Sequence, residues 1–130
     1  MLSHVCLGTN DLARALCFYD AVLATIGASR CAIDKLTGAI GYGAAPVSVT
    51  PLLFVGPPLD GAPATSSNGL TVALEAHSRE TVVAWHDAAL RHGGVDEGAP
   101  GLRPDYHPTY FAAYVRDPDG HKLCCVCHRA

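Results

Sequence analysis

Residues 110–128 read YFAAYVRDPDGHKLCCVCH, two apolar runs joined by Asp117-Pro118-Asp119-Gly120. Asp at the first position of a turn, Pro at the second and Gly at the fourth suit a type I turn, because Pro presets φ and the Asp carboxylate accepts backbone N–H groups. Residues 110–116 and 121–128 are therefore expected to pair as an antiparallel hairpin. Successive side chains of a strand point to opposite faces. Cys124, Val126 and His128 then share one face, and Leu123, Cys125 and Cys127 the other.

Upstream lies a polar stretch, residues 95–108 (VDEGAPGLRPDYHP), expected to be a loop with one short strand near 102–106. Before it, residues 70–76 read as a strand. Ser78 then caps a helix with Val82, Trp85 and Ala89 on its inner face, stopping at Gly93-Gly94. The same order occurs at the start of the chain. Residues 4–9 read as a strand and Asn10 or Asp11 as a helix cap. Leu12, Leu16, Tyr19, Leu23 and Ile26 form one apolar stripe ending at Gly27. Short strands are expected at about 29–33, 39–43 and 50–55, punctuated by Gly38, Gly41 and Pro46. Residues 56–69 (GPPLDGAPATSSNG) carry neither period and read as a mobile linker.

The two halves are a repeat. A shift of 67 places Val5 on Val72, Leu7 on Leu74, Phe18 on Trp85, Asp20 on Asp87, Leu23 on Leu90 and Gly27 on Gly94. A repeat of this kind is one supersecondary unit used again. Here the unit is β-α-β-β-β, with module one at about 1–56, a linker at 57–69 and module two at 70–130. One unit leaves a sheet face unburied. Two curl together as an α+β domain, a cupped mixed sheet with helices outside.

Composition narrows the function. The chain has 130 residues, 49% hydrophobic and 16% charged, enough for one packed core. A net charge of -3 without a basic run argues against a nucleic-acid partner. No apolar run spans a bilayer and no leader precedes the first strand, so no membrane partner and a cytoplasmic location are expected. The six Cys then read as reduced thiols, most of them small buried hydrophobes. The spacing of Cys124, Cys125, Cys127 and His128 lacks the paired CxxC of structural zinc.

The run AYVRDPDGHKL resembles the C-terminal signature of the vicinal-oxygen-chelate superfamily, which includes glyoxalase I, extradiol dioxygenases and bleomycin-resistance proteins. HVCLGTNDLARALCFYDAVLATIG resembles its opening strand and helix, and the resemblance spans nearly the whole chain. It implies paired βαβββ modules around a cup that binds a small oxygenated molecule. It also implies either lyase, isomerase or dioxygenase chemistry or metal-free sequestration of a ligand, and a homodimer. Metal-using members draw one donor from each of four strands. His4 stands at the first position, Thr71 at its repeat, Leu52 or Leu53 at the third and Cys124 where Glu is usual. One imidazole and one thiol are too few for the iron, nickel or zinc chemistry of the family, so a divalent metal is not expected through this set. A rival arrangement is zinc held by His4, Cys6 and Cys124.

The residues themselves point to the stretch from Arg103 to Tyr110 (RPDYHPTY). Arg103, Tyr106, His107 and Tyr110 there donate, accept and stack, which suits a polar small ligand, and the family resemblance implies that Thr71 and Cys124 join them. His107 is the candidate acid or base, with Tyr110 beside it. The plainer reading is an ordered loop whose tyrosines cap the core, with His4 at a rim and Cys124 filling volume. Enzyme and binder both remain open from the residues alone. Asp117 and Asp119 read as turn residues, and His86-Asp87 as surface.

Overall fold

In the computed structural model, which describes residues 1–44 and 51–130, the repeated unit is built twice. Module one runs β1 (His4–Gly8), α1 (Leu12–Ala24), β2 (Ala28–Ile33), β3 (Ile40–Ala44) and β4 (Leu52–Gly56). Module two runs β5 (Val72–Glu75), α2 (Arg79–Arg91), β6 (Val95–Leu102), β7 (Phe111–Arg116) and β8 (Lys122–Cys127). Each closes its own four-stranded mixed sheet, ordered β1-β4-β3-β2 and β5-β8-β7-β6. In both, the first strand pairs parallel with the last and the other pairs are antiparallel. The fold is α+β with helices outside. Pro46 and Thr50, assigned above to a turn and a strand start, lie outside the described residues.

The helix starts follow from short polar side chains over free N–H groups. Asp11 accepts from Arg14 N at 3.0 Å, and Ser78 from Thr81 N at 3.1 Å. Periodicity places the inner face of α2 correctly at Val82, Trp85 and Ala89, all fully buried. The buried face of α1 is turned from the expected stripe: Ala15, Phe18, Tyr19, Val22 and Leu23 are inside, while Leu16 and Ile26 are partly covered. Alternation along β8 holds. Leu123, Cys125 and Cys127 join the helix-side core, and Cys124 and Val126 pack with Ala112 on the opposite face. All six thiols are free, but only Cys124, Cys125 and Cys127 are buried; Cys6, Cys17 and Cys31 are exposed.

The polar stretch after α2 is not a loop. Residues Val95–Leu102 form β6, an edge strand whose pairing with β7 shifts register twice, around Gly98 and before Gly101. Bulges and Pro100 suit an edge, where one side needs no ladder partner. They also erase the alternation by which a strand is recognised. The true loop begins at Arg103, whose N donates to Tyr110 O at 2.8 Å.

The β7–β8 turn ties the modules together. Asp117, 3% exposed, accepts from Asp119 N and His121 N through Oδ1 and from Tyr19 Oη of α1 through Oδ2. The Asp119 carboxylate accepts from Thr9 Oγ1, Asn10 N and Arg14 Nη2. His121 Nε2 meets Gly8 O at 2.7 Å, which makes the ring nitrogen the donor. The two aspartates are therefore turn residues and also the module seam.

Candidate functional site

β1 presents His4 and Cys6 on the face opposite Val5 and Leu7, as alternation requires. The β1–β4 register sets Phe54 beside Cys6, and the His4 ring stands edge-on to Phe54 at 5.8 Å between centroids. His4 Nδ1 lies 3.0 Å from Ser3 Oγ. These side chains floor a cavity of about 860 Å³. Its other walls are the β2–β3 turn, with Asp34, Leu36 and Thr37, and the segment after β4, with Pro58, Leu59 and Asp60.

Two glycines let those walls close. Gly8 and Gly56 are register partners at the ends of β1 and β4. A Cβ on Gly56 would lie 2.4 Å from Ala39 Cβ, and one on Gly8 3.0 Å from Ala64 Cβ. The segment expected to be a mobile linker is instead a strap. Asn10 pins it: Ala64 N donates to Asn10 Oδ1 at 2.7 Å, and Asn10 Nδ2 donates to Ala64 O at 3.0 Å. Nothing in the Gly- and Pro-rich composition of the strap announces this. The signal was Asn10, the cap candidate that does not cap.

The second sheet gathers most of the other candidates on and around the face turned away from the helices. Tyr110 Oη lies 3.4 Å from Tyr114 Oη and 3.9 Å from Cys124 Sγ. Burial pushes the Cys124 thiol up, so it stays protonated and is a poor nucleophile. Burial likewise raises Tyr110 and Tyr114. The Arg103 guanidinium sits 5.6 Å from the Tyr114 ring centre and the Lys122 ammonium 5.4 Å from it. At the rim, His107 Nε2 and His128 Nδ1 are 2.8 Å apart, with rings stacked at 5.1 Å. His107 Nδ1 accepts from Thr109 N, so the neutral ring carries its proton on Nε2 and donates it to His128. Tyr106 and Tyr110 complete this aromatic group.

The structure therefore brings Arg103, Tyr106, His107, Tyr110 and Cys124 to one sheet and leaves His4 on the other. Thr71 is exposed just before β5, with no hydrogen bond to that group. His128 and Tyr114 were missed as site residues, although His128 shares the Cys124 face by simple alternation. His86 pairs with Asp96 at 2.9 Å rather than with Asp87, which pairs with Arg91.

Among the described residues no three His, Cys, Asp or Glu side chains converge, and the zinc arrangement of His4, Cys6 and Cys124 is divided between two sheets. Matching registers, Cys6 against Phe54 and Ala73 against Cys124, makes Phe54 the counterpart of Cys124. The third donor position is thus a phenyl ring, not Leu52 or Leu53. Of this set, imidazole and thiolate can ligate a metal and a phenyl ring cannot, and no carboxylate completes the two-His, one-carboxylate pattern of open iron sites.

Residues 1–125 match the profile of the Glyoxalase/Bleomycin resistance protein/Dioxygenase superfamily. The chain belongs to this superfamily. It is similar to a glyoxalase/bleomycin resistance protein from Albidiferax ferrireducens T118, with 36% identity over 100% of this chain and 99% of that one and a TM-score of 0.84. A glyoxalase-related enzyme from Fulvimarina pelagi shares the fold at 19% identity, covering 98% of this chain and 87% of its own, with a TM-score of 0.72. A glyoxalase I variant from Zea mays does so at 22% identity over 96% of this chain and 46% of its own, with a TM-score of 0.69. A search of curated proteins found no match. No helix among the described residues is long and apolar enough to cross a membrane.

Proposed function

We propose that this superfamily member binds a small molecule in the cavity over its first sheet and does so without the metal of its enzymatic relatives. The observation that carries the reading is the cavity itself. About 860 Å³ suits a small organic ligand, and its floor of Phe54, Cys6 and His4 is apolar with few polar groups, the usual make-up of such sites. The test uses N-phenyl-1-naphthylamine, a dye that brightens in apolar surroundings. Its fluorescence should rise with the wild-type protein and stay low with Cys6→Trp, which fills the floor. Equal brightening in the variant would overturn the site. Near-stoichiometric nickel, zinc or iron(II), lost on His4→Ala, would overturn the metal-free reading.

A metal-free enzyme is the second reading, supported by the ordered His107–His128 pair beside Tyr110. A binder returns its ligand unchanged, so product analysis after incubation separates the two. The homodimer implied by the family belongs to the same proposal and is read by sedimentation.

A further inference from the structure

Among the described residues, the ionisable side chains lining the cavity are His4, Cys6, Asp34 and Asp60, with neither Lys nor Arg. The two carboxylates stand on different walls, Asp34 on the β2–β3 turn and Asp60 on the strap. Asp34 accepts from Leu36 N and Thr37 Oγ1, each at 2.9 Å, and Asp60 Oδ1 accepts from Ala62 N at 2.9 Å. These bonds fix the carboxylates and leave lone pairs for a ligand, since each oxygen accepts more than one donor. The backbone bond from Leu36 and then the Thr37 hydroxyl also hold the Asp34 carboxyl below its ordinary pKa.

The apolar part of the lining is open as well. Ile33, Leu36 and Leu59 are 59%, 80% and 76% exposed around the same cavity, large side chains left uncovered in the free chain. The Phe54 ring, whose face attracts cations, lines the same cavity beside His4. Arg103 and Lys122 lie over Tyr114 on the other sheet, and Lys35, which follows Asp34 in the β2–β3 turn, is not part of the lining. An anion entering the cavity meets two carboxylates and no fixed cation in the lining. A cation on an apolar body covers the exposed side chains and neutralises the carboxylates together.

We infer that the ligand of this cavity is an apolar cation: a protonated amine or a heteroaromatic cation on a hydrocarbon or aromatic body. This names the ligand class for the site proposed above and rests on that reading.

Three probes of similar shape test it by calorimetry: phenethylammonium, 3-phenyl-1-propanol and 3-phenylpropionate. The ammonium should bind at least about tenfold more tightly than the propionate, the scale expected of a partly screened charge contact. The gap should narrow as salt is raised, and collapse in Asp34→Asn/Asp60→Asn. Asp60→Asn alone is the safeguard if the double variant melts early, and should lose part of the gap. Propionate binding as tightly as the ammonium, or a gap untouched by Asp60→Asn, overturns the inference. If the alcohol and propionate bind in a manner abolished by Cys6→Trp and the ammonium does not, the ligand class fails and the cavity reading stands. If no probe binds in a Cys6-dependent way, both fail.

Discussion

Tyr19 Oη donates to Asp117 Oδ2 at 2.5 Å, joining the buried face of α1 to the turn between β7 and β8. Both groups are almost fully buried, so the bond is the internal end of the seam between modules. Removing one partner leaves the other desolvated and unpaired, which costs more than the bond itself contributes. Tyr19→Phe should therefore lower unfolding stability by about 1–3 kcal/mol in urea titrations.

The same bond predicts an alkaline limit. Burial, and then the charge of Asp117, raises the Tyr19 pKa well above its usual 10.0. A folded-state pKa above the unfolded one means that the native chain holds a proton the unfolded chain releases. The contribution is intact below the unfolded pKa and is lost as pH rises past it. Stability should fall from about pH 10 upward, and less steeply in Tyr19→Phe. Denaturant midpoints measured across that range check the slope.

Asp119 is the outer end of the seam, its side chain only 3% exposed. Its carboxylate receives Thr9, Asn10 and Arg14, so Asp119→Ala strips three donors at once. A loss of about 2–3 kcal/mol is expected. Arg14→Ala should cost under about 1 kcal/mol, because the Arg14 side chain is 48% exposed and its charge contact is screened. Equal losses for the two variants would mean that the Thr9 and Asn10 bonds contribute little.

Gly56 carries a steric prediction. An Ala Cβ there meets Ala39 at 2.4 Å, so Gly56→Ala should destabilise by about 1–3 kcal/mol through overpacking. Adding Ala39→Gly removes the side-chain part of the clash but leaves the backbone Cα at 2.6 Å, so the double variant should recover only part of the loss. Additive losses in the double-mutant cycle would place the strain elsewhere.

Thiol labelling reads the two faces of the sheets. Cys6, Cys17 and Cys31 should react with a disulfide reagent in the native protein, while Cys124, Cys125 and Cys127 should wait for denaturant. A ligand in the cavity should slow Cys6 and leave Cys17 and Cys31 unchanged, since only Cys6 lines it. Protection of Cys17 instead would put the ligand on the helix surface.

The scaffold was legible because its signals are local. The shift of 67 that superposes Val5 and Val72 also superposes the caps Asp11 and Ser78 and both ends of the helices. Alternation from Leu123 to Cys127 needed only the pleat. The site was less legible because it depends on register between distant strands. By β4 the repeat has slipped: Phe54 matches Cys124, not Leu52 or Leu53, and no composition signal marks the slip. β6 was hidden by its own bulges. Asp119 looked complete as a turn residue, since its bonds to Thr9 and Asn10 cross more than a hundred positions of sequence.

The strap from Pro57 to Thr65 gives the repeat a division of labour. Two modules of one topology share a core, yet the cavity is lined by the first module and this connecting segment. The tether between the duplicated halves is thus also a wall of the chamber. It contributes Pro58, Leu59 and Asp60 there without contributing a strand to either sheet. Chamber and scaffold are separable: exchanging a few tether residues should reshape the chamber while both ladders and the Tyr19–Asp117 seam keep their partners.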